Sequence, residues 1–171
     1  MPPGRGATRP ARFILNLLST GDFFMHATST NIGAYLRTAG PSNAVQGYPP
    51  SLLSAGTDFG DAVEVAGFRS AVLTALTGAA TGGPTAQSTA VSLQSSTAAA
   101  PEGTWVDMPD STVTLTADEK SGEVDLNLTT LPSGHGYVRV KVVVAAFTGG
   151  TNPKQTVAAV LSLGGASTLP V

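Results

Sequence analysis

The segment TVTLTADEKSGEVDLNL, residues 112–128, decides the fold class of this chain. Apolar residues alternate with threonines in its first part and with acidic and amide residues in its last part. A polar turn that contains glycine, residues 118–122, separates the two parts. Period-2 alternation on both sides of such a turn predicts a β-hairpin. A sheet with one apolar face and one Thr/Ser/Asp face is typical of a scaffold that binds a partner or packs side by side with other copies.

Further strand signals lie on both sides of this segment, at roughly 8–15-residue spacing. They are residues 62–66, 85–95, 104–108, 136–147 and 155–163, while residues 68–77 fit either a strand or a short helix. The pattern predicts an all-β fold, an antiparallel β-sandwich or jelly-roll-like body with an extended N-terminal arm. The runs 140–146 and 157–163 are apolar on both faces. They predict central strands, covered by the second sheet on one side and by the N-terminal segment or another subunit on the other.

Composition divides the chain into an extended arm and loop-rich segment, residues 1–57, and a β-sandwich domain, residues 58–171. Residues 1–12 are rich in proline, glycine and arginine and predict an extended conformation. The first segment carries four arginines against one aspartate, a net charge of +3, and the second carries −5. A basic arm on an acidic body indicates an arm that reaches for an acidic partner surface.

The arm also contains apolar residues, which either fold back on their own domain or insert into a neighbour. Residues 1–24 lack the long apolar core and the cleavage site of a signal peptide. Met25 offers a possible internal start. We predict that the interface with a partner surface or with other subunits is formed by the arm residues Arg5, Arg9, Arg12, Phe13, Ile14, Leu15, Leu17, Leu18, Phe23 and Phe24.

Composition also limits the function. Of the 171 residues, 42% are apolar and only 12% are charged, about half the usual charged share. Such a surface is typical of proteins that function inside assemblies; the alternative is a soluble domain that is merely poor in charge. Cysteine is absent, which excludes disulfides, thiolate metal sites and cysteine nucleophiles. No apolar run reaches the roughly 18 residues of a transmembrane helix, and three arm arginines are too few to predict nucleic-acid binding.

Few residues offer chemistry. His135 follows a Ser-Gly pair in a turn pattern, which is not a catalytic arrangement. Asp58, Asp61 and Glu64 lie three apart, either as oxygen ligands for Ca²⁺ or as a solvated acidic turn. Trp105 either packs in the core or at a sheet edge, or stacks on a sugar ring. We expect no catalytic residues, no metal and no cofactor.

Four segments carry a resemblance to a known family: AVSLQSS at 90–96, GTWVD at 103–107, YVRVKV at 137–142 and AAVLSLGG at 158–165. Over roughly residues 60–170 the pattern resembles the capsid decoration, or cement, proteins of tailed bacteriophages; residues 1–57 show no match. The resemblance implies a β-sandwich on the outside of a DNA-filled head, where it clamps major capsid subunits. It implies no catalytic residues.

We therefore expect a non-enzymatic structural protein of the virion, made in the host cytoplasm and placed on the capsid exterior. Its expected partners are the major capsid protein and copies of itself in a homo-oligomer, with no nucleic acid and no membrane. The alternatives are a carbohydrate-binding or adhesin module, or a structural protein of a tail or head fibre. A glycan hydrolase would need two facing carboxylates, and the sequence singles out no pair.

Overall fold

A computed structural model describes residues 37–39, 47–99 and 105–165 of the chain. Within these ranges the regular structure is a single turn of 3₁₀ helix at Leu128–Thr130 and eleven β-strands. No helix in these ranges is long and apolar enough to cross a membrane. The strands are β1 Arg37–Ala39, β2 Tyr48–Leu53, β3 Gly56–Phe59, β4 Val63–Glu64, β5 Ser70–Thr81, β6 Thr89–Ser96, β7 Val106–Asp107, β8 Val113–Leu115, β9 Ser121–Asn127, β10 Tyr137–Val144 and β11 Lys154–Gly164.

The strands form two antiparallel sheets. In sheet I the order is β1–β11–β5–β9, with β2 paired to the same edge of β11 as β1. In sheet II the order is β3–β10–β6–β7, with β4 paired to β10 and β8 to β6. The expected all-β antiparallel sandwich is confirmed.

The pairing is nested along the chain, and this nesting defines the topology. β2 pairs with β11, β3 with β10, β5 with β9 and β6 with β8, so the first half of the body runs antiparallel to the second. The two halves thus form a long antiparallel ribbon. This ribbon is folded over on itself, so that β5 also pairs with β11 and β6 also pairs with β10. Eight principal strands connected in this way form a jelly roll.

The core lies between the sheets and is filled by alternate residues of each strand, since successive side chains point to opposite faces. On β10 every second residue from Val138 to Val144 is buried, and on β11 every second residue from Val157 to Leu163 is fully buried. Thr89, which begins the inward row of β6, is 1% exposed. The predicted central position of these apolar runs is therefore correct, because β10 and β11 each have strand neighbours on both sides.

The predicted hairpin at residues 112–128 is wrong. β8 pairs with β6 in sheet II and β9 pairs with β5 in sheet I, so the connection crosses from one sheet to the other. The crossing segment is bonded to β5, because Thr77 donates its hydroxyl to the Ala117 carbonyl at 2.9 Å and its N–H to the Lys120 carbonyl at 2.8 Å. Each strand points its alternating apolar face into the common core.

Two further expectations are settled by the structure. Residues 70–81 form strand β5, which excludes the short-helix interpretation of residues 68–77. Residues 48–53 and 56–59 are strands of the sandwich, so the expected loop-rich character does not hold for this part of the N-terminal segment. These residues are held in the fold by long-range pairing with β11 and β10, which local composition does not reveal.

Candidate interaction surfaces

The outer face of sheet II carries a polar ladder across three strands. Arg139 of β10 lies opposite Gln94 of β6, which lies opposite Asp107 of β7. Arg139 donates from Nε to Gln94 Oε1 at 2.9 Å, and Gln94 donates from Nε2 to Asp107 Oδ1 at 2.8 Å. The alternation that buries the valines of β10 turns these polar residues outward, so a single strand supplies both the core and this ladder.

Two aromatic rings flank the guanidinium of Arg139. Its Cζ lies 4.0 Å from the centroid of the Phe59 ring and 4.4 Å from that of the Trp105 ring. A planar cation at these distances is attracted by the negative face of each ring. Trp105 thus packs at the sheet edge, as one of the predicted arrangements requires, and Arg139 occupies a ring face that a stacked sugar would use.

Lys141 completes the ladder. Its Nζ contacts both carboxylate oxygens of Asp107, at 3.0 and 2.9 Å. The hydrogen bond from Lys141, then that from Gln94, lowers the pKa of Asp107 below its ordinary value of 3.8. The Asp107 side chain is 62% exposed, and exposed pairs of this kind contribute about 0–1 kcal/mol. We name Phe59, Gln94, Trp105, Asp107, Arg139 and Lys141 the charged ladder.

The centre of the outer face of sheet I has the opposite character. Along the central pair, Val72 lies opposite Ser162, Thr74 opposite Val160 and Leu76 opposite Ala158. Leu52 of β2 extends the same surface and is 51% exposed, and Leu76 is 41% exposed. None of these side chains carries a charge. We name this surface the neutral face, formed by Leu52, Val72, Thr74, Leu76, Ala158, Val160 and Ser162.

Strands with different properties border the neutral face. On one side β9 places Asp125 beside Val72 and Glu123 beside Thr74, and both acidic residues are exposed. On the other side β1 pairs with β11, so residues Arg37–Ala39 lie at this edge of the sheet. We name Glu123 and Asp125 the acidic border.

The three acidic residues considered for Ca²⁺ do not converge. Asp58 accepts a hydrogen bond from the Tyr48 hydroxyl at 2.6 Å, and Glu64 lies on β4 opposite Tyr137. Burial, followed by the hydrogen bond to Asp58, raises the pKa of Tyr48 to about 12. Within residues 47–99 and 105–165 no group of three or more His, Asp or Glu side chains is placed to hold a metal.

The sequence did not reveal that Ser95 meets His135. The hydroxyl of Ser95 lies 2.8 Å from His135 Nδ1, and the backbone N–H of His135 donates to the Pro132 carbonyl in the expected turn. Ser95 is 1% exposed, so this contact anchors the turn against β6. Beside it lies a cleft of about 210 Å³, whose lining includes Asp110 and Asp125.

The arm residues predicted to form the interface lie outside the described part of the chain. The contact predicted for them with the shell or with other subunits is therefore still a prediction. They are Arg5, Arg9, Arg12, Phe13, Ile14, Leu15, Leu17, Leu18, Phe23 and Phe24.

Comparisons with known proteins are sparse. No protein-family model matches this chain, and no curated protein matches it significantly. Among solved structures, a chain from desmodium yellow mottle tymovirus aligns with 80% of this chain and 88% of its own length, at 13% identity and a TM-score of 0.31. A TM-score of this size carries no functional argument.

Proposed function

We propose that this chain is a structural protein of a viral particle, and specifically a cement protein that binds the outside of a phage capsid and bridges major capsid subunits. The neutral face carries the proposal. It is an uncharged sheet surface beside the edge at which the N-terminal segment joins the body. The jelly roll supports it, because this architecture serves in capsid proteins as well as in lectins and cupins.

The proposed mechanism is attachment through many modest contacts. The arm binds a neighbouring surface through its apolar residues, and its arginines favour an acidic partner. Because each copy is also held by its neighbours, separate weak contacts act together through a high effective concentration. The ordering of the arm costs conformational entropy, so attachment depends on burial of the apolar residues at 13–18 and 23–24.

Quantitative mass spectrometry of purified virions tests the location. A copy number near that of the major capsid protein, or a simple fraction of it, is the expected result for a shell-binding protein. A handful of copies would place the chain in a tail or fibre, and its absence from the particle would end the proposal.

Deletion of residues 1–24 tests the mechanism on particles stripped of this protein. The truncated chain is expected to keep the circular-dichroism spectrum of the body and to bind particles more weakly. A matched variant with serine at Phe13, Ile14 and Leu15 retains the arm's length and charge, and is expected to lose binding as well. Full binding by both variants would contradict the role of the arm.

A glycan-binding module is the second candidate, because the cleft beside Ser95 offers carboxylate acceptors at Asp110 and Asp125 for sugar hydroxyls. Binding to a glycan array that is lost in Asp125→Ala, together with absence from virions, would favour it.

A further inference from the structure

The two outer faces of the sandwich differ in a way that calls for an explanation. Sheet II turns the charged ladder outward, where Arg139 and Lys141 donate hydrogen bonds to Gln94 and Asp107 of the same ladder. Sheet I turns the neutral face outward, with two of its leucines about half exposed. Apolar sheet faces are stable when another layer covers them. The neutral face therefore has the chemistry of a surface that accepts an apolar segment.

The position of β1 and the length of the arm bear on what the arm can contact. Arg37 pairs with Leu163 and Ala39 with Leu161, so β1 runs antiparallel to β11 and begins near Gly164, the end of β11. Residues 25–36 supply twelve positions, a reach of at most about 40 Å when extended. This reach is long enough for residues 13–24 to contact an adjacent molecule.

The order of residues in the arm matches the order of strands across sheet I. From β1 the sheet proceeds to β11, β5 and then β9, with strands about 4.8 Å apart. The neutral face on β11 and β5 is followed by the acidic border on β9. Read backward from residue 37, the arm offers apolar residues at 13–24 and then Arg12, Arg9 and Arg5. In this order the apolar arm residues match the largely apolar neutral face, and the arginines match the carboxylates of the acidic border.

We infer that the neutral face is the docking surface for residues 13–24 of a second copy of this chain, with the arm arginines paired to Glu123 and Asp125. The inference rests on the proposed function, because it assigns the partner to which the arm binds. Arms exchanged between copies link neighbours directly, so the layer of this protein is continuous around the particle.

The absence of native cysteine makes the contact directly testable. A Leu15→Cys chain is mixed with a Val160→Cys chain under mild oxidation, and disulfide-linked pairs are measured by non-reducing electrophoresis. An Ala90→Cys chain, with its cysteine on the outer face of sheet II, replaces the Val160→Cys chain as the matched control. The expected yield with Val160→Cys exceeds the control by about tenfold, because docking raises the effective concentration of the two thiols.

Equal yields at positions 160 and 90 would overturn the inference. It would also be overturned if a doubly substituted L15C/V160C chain formed only an internal disulfide, since the arm would then cover its own body. At about 1 M salt, where the screening length is about 3 Å, the yield is expected to fall because the arginine–carboxylate pairs are screened. Glu123→Gln with Asp125→Asn should lower the yield at low salt and remove this salt dependence.

A second variant guards against a cysteine that disturbs the fold. Val160→Glu places a charge on the neutral face and is expected to weaken self-association in sedimentation experiments, but only when residues 1–24 are present. Unchanged association would contradict the docking. If these docking tests fail but the copy number in virions is high, only the docking is overturned. If the protein is absent from virions, the proposed function is overturned.

Discussion

Replacement of Arg139 by alanine removes the centre of the charged ladder. The guanidinium contacts two aromatic rings and donates to Gln94 at 2.9 Å. Each ring contact contributes about 0.5–1 kcal/mol and the hydrogen bond about 1 kcal/mol. Arg139→Ala is therefore expected to lower the free energy of unfolding by about 2–3 kcal/mol, with Arg139→Lys intermediate because the ammonium keeps the charge without the planar stack.

Chemical denaturation followed by circular dichroism measures this loss, and Trp105 reports on it independently. Because Trp105 is the only tryptophan, iodide quenching of its fluorescence in the folded state should increase in Arg139→Ala. Arg69→Ala is the matched control, since Arg69 is exposed and carries the same charge, and it should change stability by less than about 0.5 kcal/mol. Equal losses in the two variants, with unchanged quenching, would refute the reasoning.

Three other substitutions test the core and the titrating groups. A Cβ at Gly122 would lie 2.7 Å from Val113 Cγ1. Gly122→Ala should therefore lower the free energy of unfolding by about 1–3 kcal/mol in chemical denaturation. If adding Val113→Ala to this variant did not reduce the loss, the clash with Val113 would not be its cause. Folding lowers the pKa of Asp107, so the ionised carboxylate stabilises the fold slightly relative to Asp107→Asn. This difference in the free energy of unfolding should be present at neutral pH and disappear as pH falls below 3.8. A difference that persists in acid would be inconsistent with the lowered pKa. Folding raises the pKa of Tyr48 from 10.0 to about 12, so the free energy of unfolding should fall as pH rises through this window. It should fall less in Tyr48→Phe, and parallel pH profiles of the two proteins would contradict this reasoning.

The strands that were predicted well from the sequence are those in which apolar and polar residues alternate because one face of the strand is buried. Residues 85–95 were predicted to form a strand, and the alternate residues Thr89, Val91 and Leu93 of β6 are at most 1% exposed. The run at 155–163 lies within β11, which ends at Gly164 as its glycine pair indicates. Alternation is a property of one strand and its core, so a single sequence displays it.

The sequence of a strand does not show in the same way which other strand it pairs with. The hairpin at 112–128 was wrong because two adjacent alternating segments can face the same core from different sheets. The charged ladder was missed for a related reason. Along β10, Arg139 and Lys141 appear only as interruptions of an apolar run, and their partners Gln94 and Asp107 lie 45 and 34 positions away.

The nested strand pairing also determines when the fold can form during synthesis. Leu53 pairs with Gln155, a separation of 102 positions, and β11 is the strand that β1, β2 and β5 all require. Topologies dominated by such distant pairs fold slowly. Sheet I cannot close before residue 164 has been made, so the part of the neutral face that lies on β11 does not exist on a shorter nascent chain. The body therefore completes its fold only after β11 has been synthesised.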